Sequence, residues 1–361
     1  MKKINLSPTL IIGTGLVGAS IGMALTARRV RVHVPDAVPS HAIVAASLGA
    51  GTTEPVDPAR VRLVVVAVPP AALADVVAEA LTTYPRATVT DVGSVKGTVL
   101  AKLRARDGLD LARYVGSHPM AGSQHAGPLT ARADLFEERT WVVTPHDTAS
   151  AHTVLDVGEL VRLCGAREVS LGPAHHDEAV AEVSHVPQLL SSLMGGVLND
   201  VPPEHLRLAG QGVRDVTRVA GSDPGLWRQI IAANRSAVAH LLHEVRDELD
   251  SLLAVLDGPD DEVPDGLTAF LQWGQDGVRQ LPGKHGAAPG NLAHVVIEIP
   301  DTPGALARLF ADIGEVGFNV EDLAIEHDTQ REVGFLSVQV ARPKAAALEA
   351  SMRERGWTVR H

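Results

Sequence analysis

The residues best suited to chemistry in this chain begin at a glycine-rich turn. Gly13-Thr14-Gly15-Leu16-Val17-Gly18 follows the apolar run Leu10-Ile11-Ile12 and opens a helical pattern. Between a strand and a helix, the first glycine permits a tight turn. The second lets the backbone approach a pyrophosphate, and the third lets helix and strand pack closely. Free amides at the helix start, Leu16 and Val17 among them, then receive phosphate oxygens. Asp36 falls at the end of the next apolar run. A carboxylate there accepts hydrogen bonds from both ribose hydroxyls and repels a 2′-phosphate, which predicts NAD rather than NADP. Arg28, Arg29 and Arg31 stand nearby and keep the phosphorylated cofactor as an alternative. Val68 and Pro69, closing a third apolar run, complete the expected cofactor site.

A cofactor of this kind needs a base near the group being oxidised. In doubly wound sheets such groups stand at the C-terminal ends of strands. Asp91-Val92-Gly93-Ser94-Val95-Lys96 follows the run Thr88–Val92, and Ser117-His118-Pro119-Met120-Ala121-Gly122-Ser123-Gln124 follows Tyr114–Ser117. Ser94 and His118 are therefore expected to face the cofactor crevice and to share a hydrogen bond. A packed histidine explains His118 equally well from its residue type alone. Metal chemistry is not expected. His176 and His185 are nine residues apart, about 900° of α-helical rotation, which places them on opposite faces. Zinc pairs favour an i,i+4 spacing instead.

These groups need elements to hold them. Residues 9 to about 170 alternate apolar runs with helical stretches such as Leu16–Arg28 and Ala71–Leu81. That pattern predicts an α/β Rossmann domain with a parallel sheet covered on both faces. Long helical patterns follow, over Ala174–Leu198 and Pro224–Leu256, the second with Ser222-Asp223 as cap and Pro224 in its first turn. Residues 281–291 are rich in proline and glycine and read as a linker. Beyond it the patterns run strand (His294–Ile299), helix (Gly304–Val316), strand (Asn319–Glu326), strand (Glu332–Val340), helix (Lys344–Arg355), strand (Trp357–Arg360). That order is βαββαβ, a ferredoxin-like unit. The expected division is 1–171 for a Rossmann domain, 172–283 for an all-α substrate and dimerisation domain, and 292–361 for the βαββαβ domain.

Composition narrows the function classes. The net charge of −11 argues against a nucleic-acid partner. No stretch approaches the ~18 uninterrupted apolar residues of a membrane span. The apolar run behind Met1-Lys2-Lys3 is short and reads as a buried strand, not a signal peptide. A single cysteine, Cys164, excludes an intrachain disulfide and suits a reducing, cytoplasmic setting. A β-hydroxyacid dehydrogenase, which typically uses a lysine in its helical domain, is disfavoured because residues 172–283 contain none. A non-enzymatic NAD-binding sensor is the remaining alternative.

The motifs together resemble the prephenate dehydrogenase family, which includes arogenate dehydrogenases. The likeness rests on the glycine loop with Ala19-Ser20, on Asp91–Lys96, and on His118-Pro119-Met120-Ala121-Gly122. In the helical region it rests on Ser184-His185-Val186-Pro187, Arg214–Ala220, Ser222-Asp223-Pro224 and Trp227. It implies NAD-dependent oxidative decarboxylation of prephenate to 4-hydroxyphenylpyruvate in tyrosine biosynthesis, by a homodimer. By that likeness His118 accepts the C4 hydroxyl proton, and Ser94 orients it and touches nicotinamide and substrate. Arg218 pairs with a substrate carboxylate, and its competing reading is a surface ion pair with Asp215. Trp227 walls the pocket, and Ser123, Gln124, His185, Gln188 and Asp215 complete the expected substrate site. The sequence departs from the family twice. Gln188 stands where a second histidine is common, and Ser123-Gln124 stands where Thr-Glu is common. A neutral Gln124 offers no countercharge to the amino group of arogenate, which favours prephenate, with arogenate as the alternative.

The last unit resembles an ACT domain, a module that often binds amino acids. Asp301-Thr302-Pro303-Gly304-Ala305-Leu306 matches its ligand loop, and Gly317-Phe318-Asn319-Val320 matches the turn after its first helix. The likeness implies an effector such as tyrosine held by Asp301, Pro303, Gly304, Leu306 and Asn319. A unit that only dimerises is the competing reading.

Overall fold

A computed structural model describes residues 4–121, 127–281, 292–318, 320, 322–328 and 333–360. The chain forms two compact units, Met1–Arg246 and Asp247–His361.

The first unit opens with β1 (Thr9–Ile12), α1 (Leu16–Ala27), β2 (Val32–His33), α2 (Pro39–Ser47), β3 (Leu63–Val66), α3 (Pro70–Thr83) and β4 (Thr88–Asp91). The four strands form a parallel sheet in the order β2-β1-β3-β4. Alternation along β3 explains why both faces are covered. Leu63 and Val65 enter a cluster with Ile21 and Leu25 of α1. Val64 and Val66 enter another with Leu73, Val77 and Leu81 of α3. Side chains that alternate between two apolar layers give the continuous apolar run of a doubly buried strand.

Next come α4 (Gly97–Arg104), β5 (Gly116–Pro119), β6 (Thr140–Thr144), α5 (Ala151–Leu163) and β7 (Arg167–Ser170). These strands form a second sheet, β5-β6-β7, in which β5 and β6 are antiparallel. The region is therefore mixed rather than wholly parallel. The bridge between Val89 and Tyr114 joins β4 to the approach of β5. His118 lies within β5, not on the loop beyond it.

The helical part corrects two expectations of continuity. Ala174–Leu198 is not one α-helix. It is α6 (Pro173–Val180), a π-turn over Ala181–His185, and α7 (Val186–Val197). After the short α8 (Pro203–Leu206) and α9 (Gln211–Thr217), Pro224–Leu256 divides into α10 (Pro224–Ala233) and α11 (Arg235–Leu256). Asp223 caps α10 as expected, accepting the Leu226 amide at 2.6 Å. Asn234 ends it, with φ −110° and ψ 24°. Both interruptions bear directly on the site.

The second unit contains α12 (Val263–Val278) and then β8 (Leu292–Pro300), α13 (Ala305–Glu315), β9 (Asp322–Asp328), β10 (Val333–Ala341), α14 (Arg342–Glu354) and β11 (Thr358–Arg360). The strands form an antiparallel sheet in the order β11-β8-β10-β9. Val295, Ile297, Leu336 and Val338 bury one face against Leu309, Ile313, Leu348 and Met352 of the two helices. Gly304 has φ +85° at the start of α13 and Gly317 has φ +72° just past its end, so both turns need the left-handed backbone that glycine adopts freely. Among the described residues no helix is long and apolar enough to cross a membrane.

Candidate active site

The glycine loop has the geometry its spacing predicts. Gly13 has φ +96°, and a Cβ there would lie 2.4 Å from the Ala67 carbonyl oxygen. A Cβ on Gly18 would lie 2.0 Å from the Gly13 carbonyl oxygen. These two glycines are fixed by packing, and Val68 closes against the same turn. Gly15 differs, since a Cβ there would meet nothing within 4 Å. Its backbone borders the open space at the start of α1, beside the amides of Leu16 and Val17. That space suits a diphosphate. Asp36 accepts the Thr14 amide at 2.6 Å and the Thr14 hydroxyl at 2.8 Å on one oxygen, and the Val38 amide at 2.8 Å on the other. Partial burial raises its pKa, but the amides of Val38 and Thr14 and the Thr14 hydroxyl outweigh that and hold it below the usual carboxylate range. The residues present thus fit a dinucleotide with unphosphorylated ribose. Pro69 directly precedes α3, at the end of the strand that Gly13 packs on.

Behind the next strand ends lies a buried polar cluster that composition and pattern did not single out. Lys96 and Asp91 form an ion pair with both side chains almost fully enclosed. Asp91 also accepts the Gly93 amide at 2.9 Å and the Tyr114 hydroxyl at 2.6 Å. Lys96 Nζ donates to the Ser117 carbonyl oxygen at 2.8 Å. A buried charge survives only when paired and hydrogen-bonded. Here the pairing ties β4 to the residue preceding His118. Two opposite charges five positions apart at the end of an apolar strand are the sequence signal for it.

His118 does not bond Ser94. Its Nδ1 lies 2.9 Å from Nε2 of His176. His176 Nδ1 in turn lies 2.9 Å from Asp177 Oδ1. Asp177 also accepts the Lys96 amide at 2.8 Å and the Gly97 amide at 2.8 Å, so its carboxylate sits at the positive end of α4. Ser94 is half-buried and lines a small pocket with Pro70, Leu73, Thr98 and Lys102. The serine was expected to orient the base, and α6 supplies that partner instead.

The π-turn changes the angle between His176 and His185 from the one a uniform α-helix gives. Its wider i→i+5 turn absorbs one residue, so the nine-residue spacing to His185 behaves as eight, about 800°, leaving the two rings roughly 80° apart. They do not lie on opposite faces as a continuous α-helix requires, and both bear electrostatically on His118. His185 is buried, with its ring edge-on to Trp227 at 6.1 Å between centroids. Asn234, freed by the helix break, donates to the Asp177 carbonyl oxygen at 2.7 Å and contacts His185 Nδ1 at 3.1 Å. A carbonyl only accepts, so the Asn234 amide nitrogen is fixed there. It therefore also donates to His185 Nδ1, leaving the proton on His185 Nε2. Burial, with help from His176 and against the pull of Asp177, pushes His185 down to about 4. Burial first, then His176, Lys96 and His185, push His118 well below the usual histidine range. Both rings are neutral at pH 7.

Arg218 starts the turn Arg218–Gly221, is exposed, and makes no ion pair among the described residues. Asp215 accepts Gln211 Nε2 at 2.7 Å rather than pairing with it. Gln188 is buried and donates to the Val219 carbonyl oxygen at 2.9 Å, and the Ala220 amide donates to Ser191 at 3.1 Å. Gln188 thus anchors the Arg218 turn. Ser123 and Gln124 lie outside the described residues, as does Asn319. Asp301, Pro303 and Gly304 are exposed before α13, and Leu306 is half-buried.

A nucleotide-binding αβ domain whose strand ends carry a half-buried neutral histidine, followed by helices that bring in further imidazoles, defines a dehydrogenase class. Residues 21–170 match the family model described as prephenate dehydrogenase, nucleotide-binding domain, and residues 172–272 match its dimerization domain. The chain belongs to the prephenate dehydrogenase family. It is 36% identical over 356 residues to the "Probable prephenate dehydrogenase NovF" of Streptomyces niveus, covering 96% of this chain and 98% of that protein. The prephenate dehydrogenase of Aquifex aeolicus, solved with hydroxyphenyl propionate and NAD+, is 26% identical with a TM-score of 0.66 over 77% of this chain and 100% of that one. Synechocystis arogenate dehydrogenase shares the fold at 23% identity and a TM-score of 0.65, over 76% of this chain and 99% of that one.

Proposed function

We propose that the chain catalyses the NAD-dependent oxidative decarboxylation of prephenate to 4-hydroxyphenylpyruvate. The observation that carries this is the neutral His118, held near the end of β5 in a domain whose β1–α1 turn is shaped for a dinucleotide. A neutral imidazole with one nitrogen committed to His176 has the other available to accept a hydroxyl proton. Gly13, Gly15, Gly18, Leu16, Val17 and Asp36 would hold the dinucleotide, with Val68, Pro69 and Ser94 along its path. NAD held there would supply the acceptor for a hydride from ring carbon C4. Arg218, which makes no ion pair among the described residues, offers a guanidinium fork to a substrate carboxylate. His185 Nε2–H donates a hydrogen bond, and Trp227 braces that ring. No metal is needed, because aromatisation drives the loss of CO2.

Prephenate is preferred to arogenate in this reading, because Gln124 carries no charge for an ammonium group. The chain divides functionally into 1–171, 172–283 and 292–361, acts as a cytoplasmic homodimer through its helical domain, and ends in an ACT-like, ferredoxin-like unit. The βαββαβ order and the exposed Asp301–Gly304 loop support an amino-acid effector such as tyrosine there. A steady-state assay of prephenate against arogenate, with NAD or NADP and with or without tyrosine, tests all of these together. NADH formation with prephenate is expected, and a clear preference for arogenate overturns the substrate assignment.

A further inference from the structure

The line of contacts Asp177–His176–His118 has a direction. Asp177 Oδ1 is a carboxylate oxygen, so the proton between it and His176 sits on His176 Nδ1. A neutral His176 then has a bare Nε2. The 2.9 Å contact to His118 requires the proton on His118 Nδ1. His118 Nε2 is left as the free lone pair. Each tautomer follows from the one before it, starting at a carboxylate held by two backbone amides of α4.

We propose that His118 and His176 act as one proton store, in which the proton taken at His118 is passed on to His176 and held there against Asp177. This rests on the function proposed above. Alone, His118 is a weak base, because its surroundings disfavour charge. Burial first, then His176, Lys96 and His185, make an imidazolium on His118 costly. His176 borders the one carboxylate of this cluster not already neutralised by a lysine, since Asp91 is paired with Lys96. A cation on His176 therefore has a carboxylate in direct contact at 2.9 Å, and His118 reaches that carboxylate only through His176. As the substrate hydroxyl loses its proton to His118 Nε2, the Nδ1 proton of His118 moves to His176 Nε2. The hydride of C4 would go to the nicotinamide held by the glycine loop, and the C4–O bond would become a carbonyl. The ring carboxylate leaves as CO2, and its bonding electron pair aromatises the ring and returns to that oxygen. The phenolate takes a proton back from His118 Nε2 while His176 returns its own, so no net proton is released. His176 and Asp177 are positioning residues, because they reach the substrate only through His118.

The test uses the full-length protein with NAD and prephenate. His176→Gln keeps an oxygen that accepts from His118 Nδ1 but cannot take the proton. The expected result is a kcat loss of roughly 10²-fold, with NAD affinity retained. The acid limb of the kcat/KM profile should move down by about one pH unit or more. The curved solvent-deuterium proton inventory of the wild type should become linear. Asp177→Asn should move the acid limb in the same direction, since the stored cation loses its countercharge. Nitrogen-15 histidine shifts of the unmutated protein read the tautomers independently of any folding defect. His118 and His176 should both carry the proton on Nδ1. An Nε2–H tautomer at His118, or His176→Gln with wild-type kcat and pH profile, overturns the proposal. A wild-type protein that forms no NADH from prephenate overturns the assigned reaction instead, and the tautomer pattern still decides the relay's geometry.

Discussion

Asn234 donates to His185 Nδ1 at 3.1 Å, and that bond joins two helix interruptions. The break between α10 and α11 turns the Asn234 amide inward, and the π-turn brings His185 to meet it. The same amide holds the Asp177 carbonyl oxygen in α6, ahead of the π-turn.

Asn234→Ala therefore leaves a buried carbonyl and a buried ring nitrogen without their donor. Each unsatisfied group costs about 1–3 kcal/mol. A lower urea midpoint with an unchanged m-value is expected, together with weaker prephenate binding. Unchanged stability would show that the amide is not the shared donor.

Stability should also fall with acid in a defined window. His185 is held at about 4 when folded, against about 6.5 for an unfolded histidine. Between those values the unfolded chain binds a proton that the folded one does not, so stability drops as pH falls from about 6.5 towards 4. His118, also depressed, adds in the same direction. Chemical denaturation at a series of pH values should show this slope, and His185→Gln should flatten it. A slope untouched by that substitution would mean that other groups carry it.

Lys96→Met strands Asp91 in the interior. Removing one partner of a buried pair costs about 3–5 kcal/mol. The melting temperature should fall sharply, and adding Asp91→Leu should recover part of the loss. A single variant as stable as the parent would contradict the structural role given to this pair.

The glycines of the loop should separate folding from cofactor binding. Gly18→Ala drives a Cβ into the Gly13 carbonyl and should destabilise the domain. Gly15→Ala meets open space, so its melting temperature should hold while NAD affinity drops about tenfold or more, a loss of roughly 1.4 kcal/mol. Calorimetric titration with NAD distinguishes them. Unimpaired binding by Gly15→Ala would place the diphosphate elsewhere.

The sheet and the glycine loop were legible because they depend on local pattern. Leu63–Val66 is uniformly apolar since both its faces are covered, Gly18 is dictated by Gly13 within its own strand–loop–helix unit, and Gly13 by Ala67 at the end of the adjacent strand. His118 was legible as a strand-end histidine. Its partner was not. His176 sits in α6, ahead of the widened turn at Ala181–His185, and periodicity, which assumes a uniform turn, set it on the face opposite His185. Asn234 was hidden inside what reads as one long helix, although a residue of low helix propensity there was the available hint. Ser94 misled because sequence proximity to the expected crevice does not fix where a hydroxyl points. Gln188 departs from the family pattern, and the structure gives it a backbone partner in the Arg218 turn.

The proposed reaction turns on His118 as the group that takes the substrate proton. Steady-state turnover of prephenate with NAD by His118→Asn tests it most directly, since the asparagine amide can still donate to His176. The predicted result is a kcat at least about 10³-fold below the wild type with NAD affinity unchanged. Turnover by His118→Asn at the wild-type rate would contradict it.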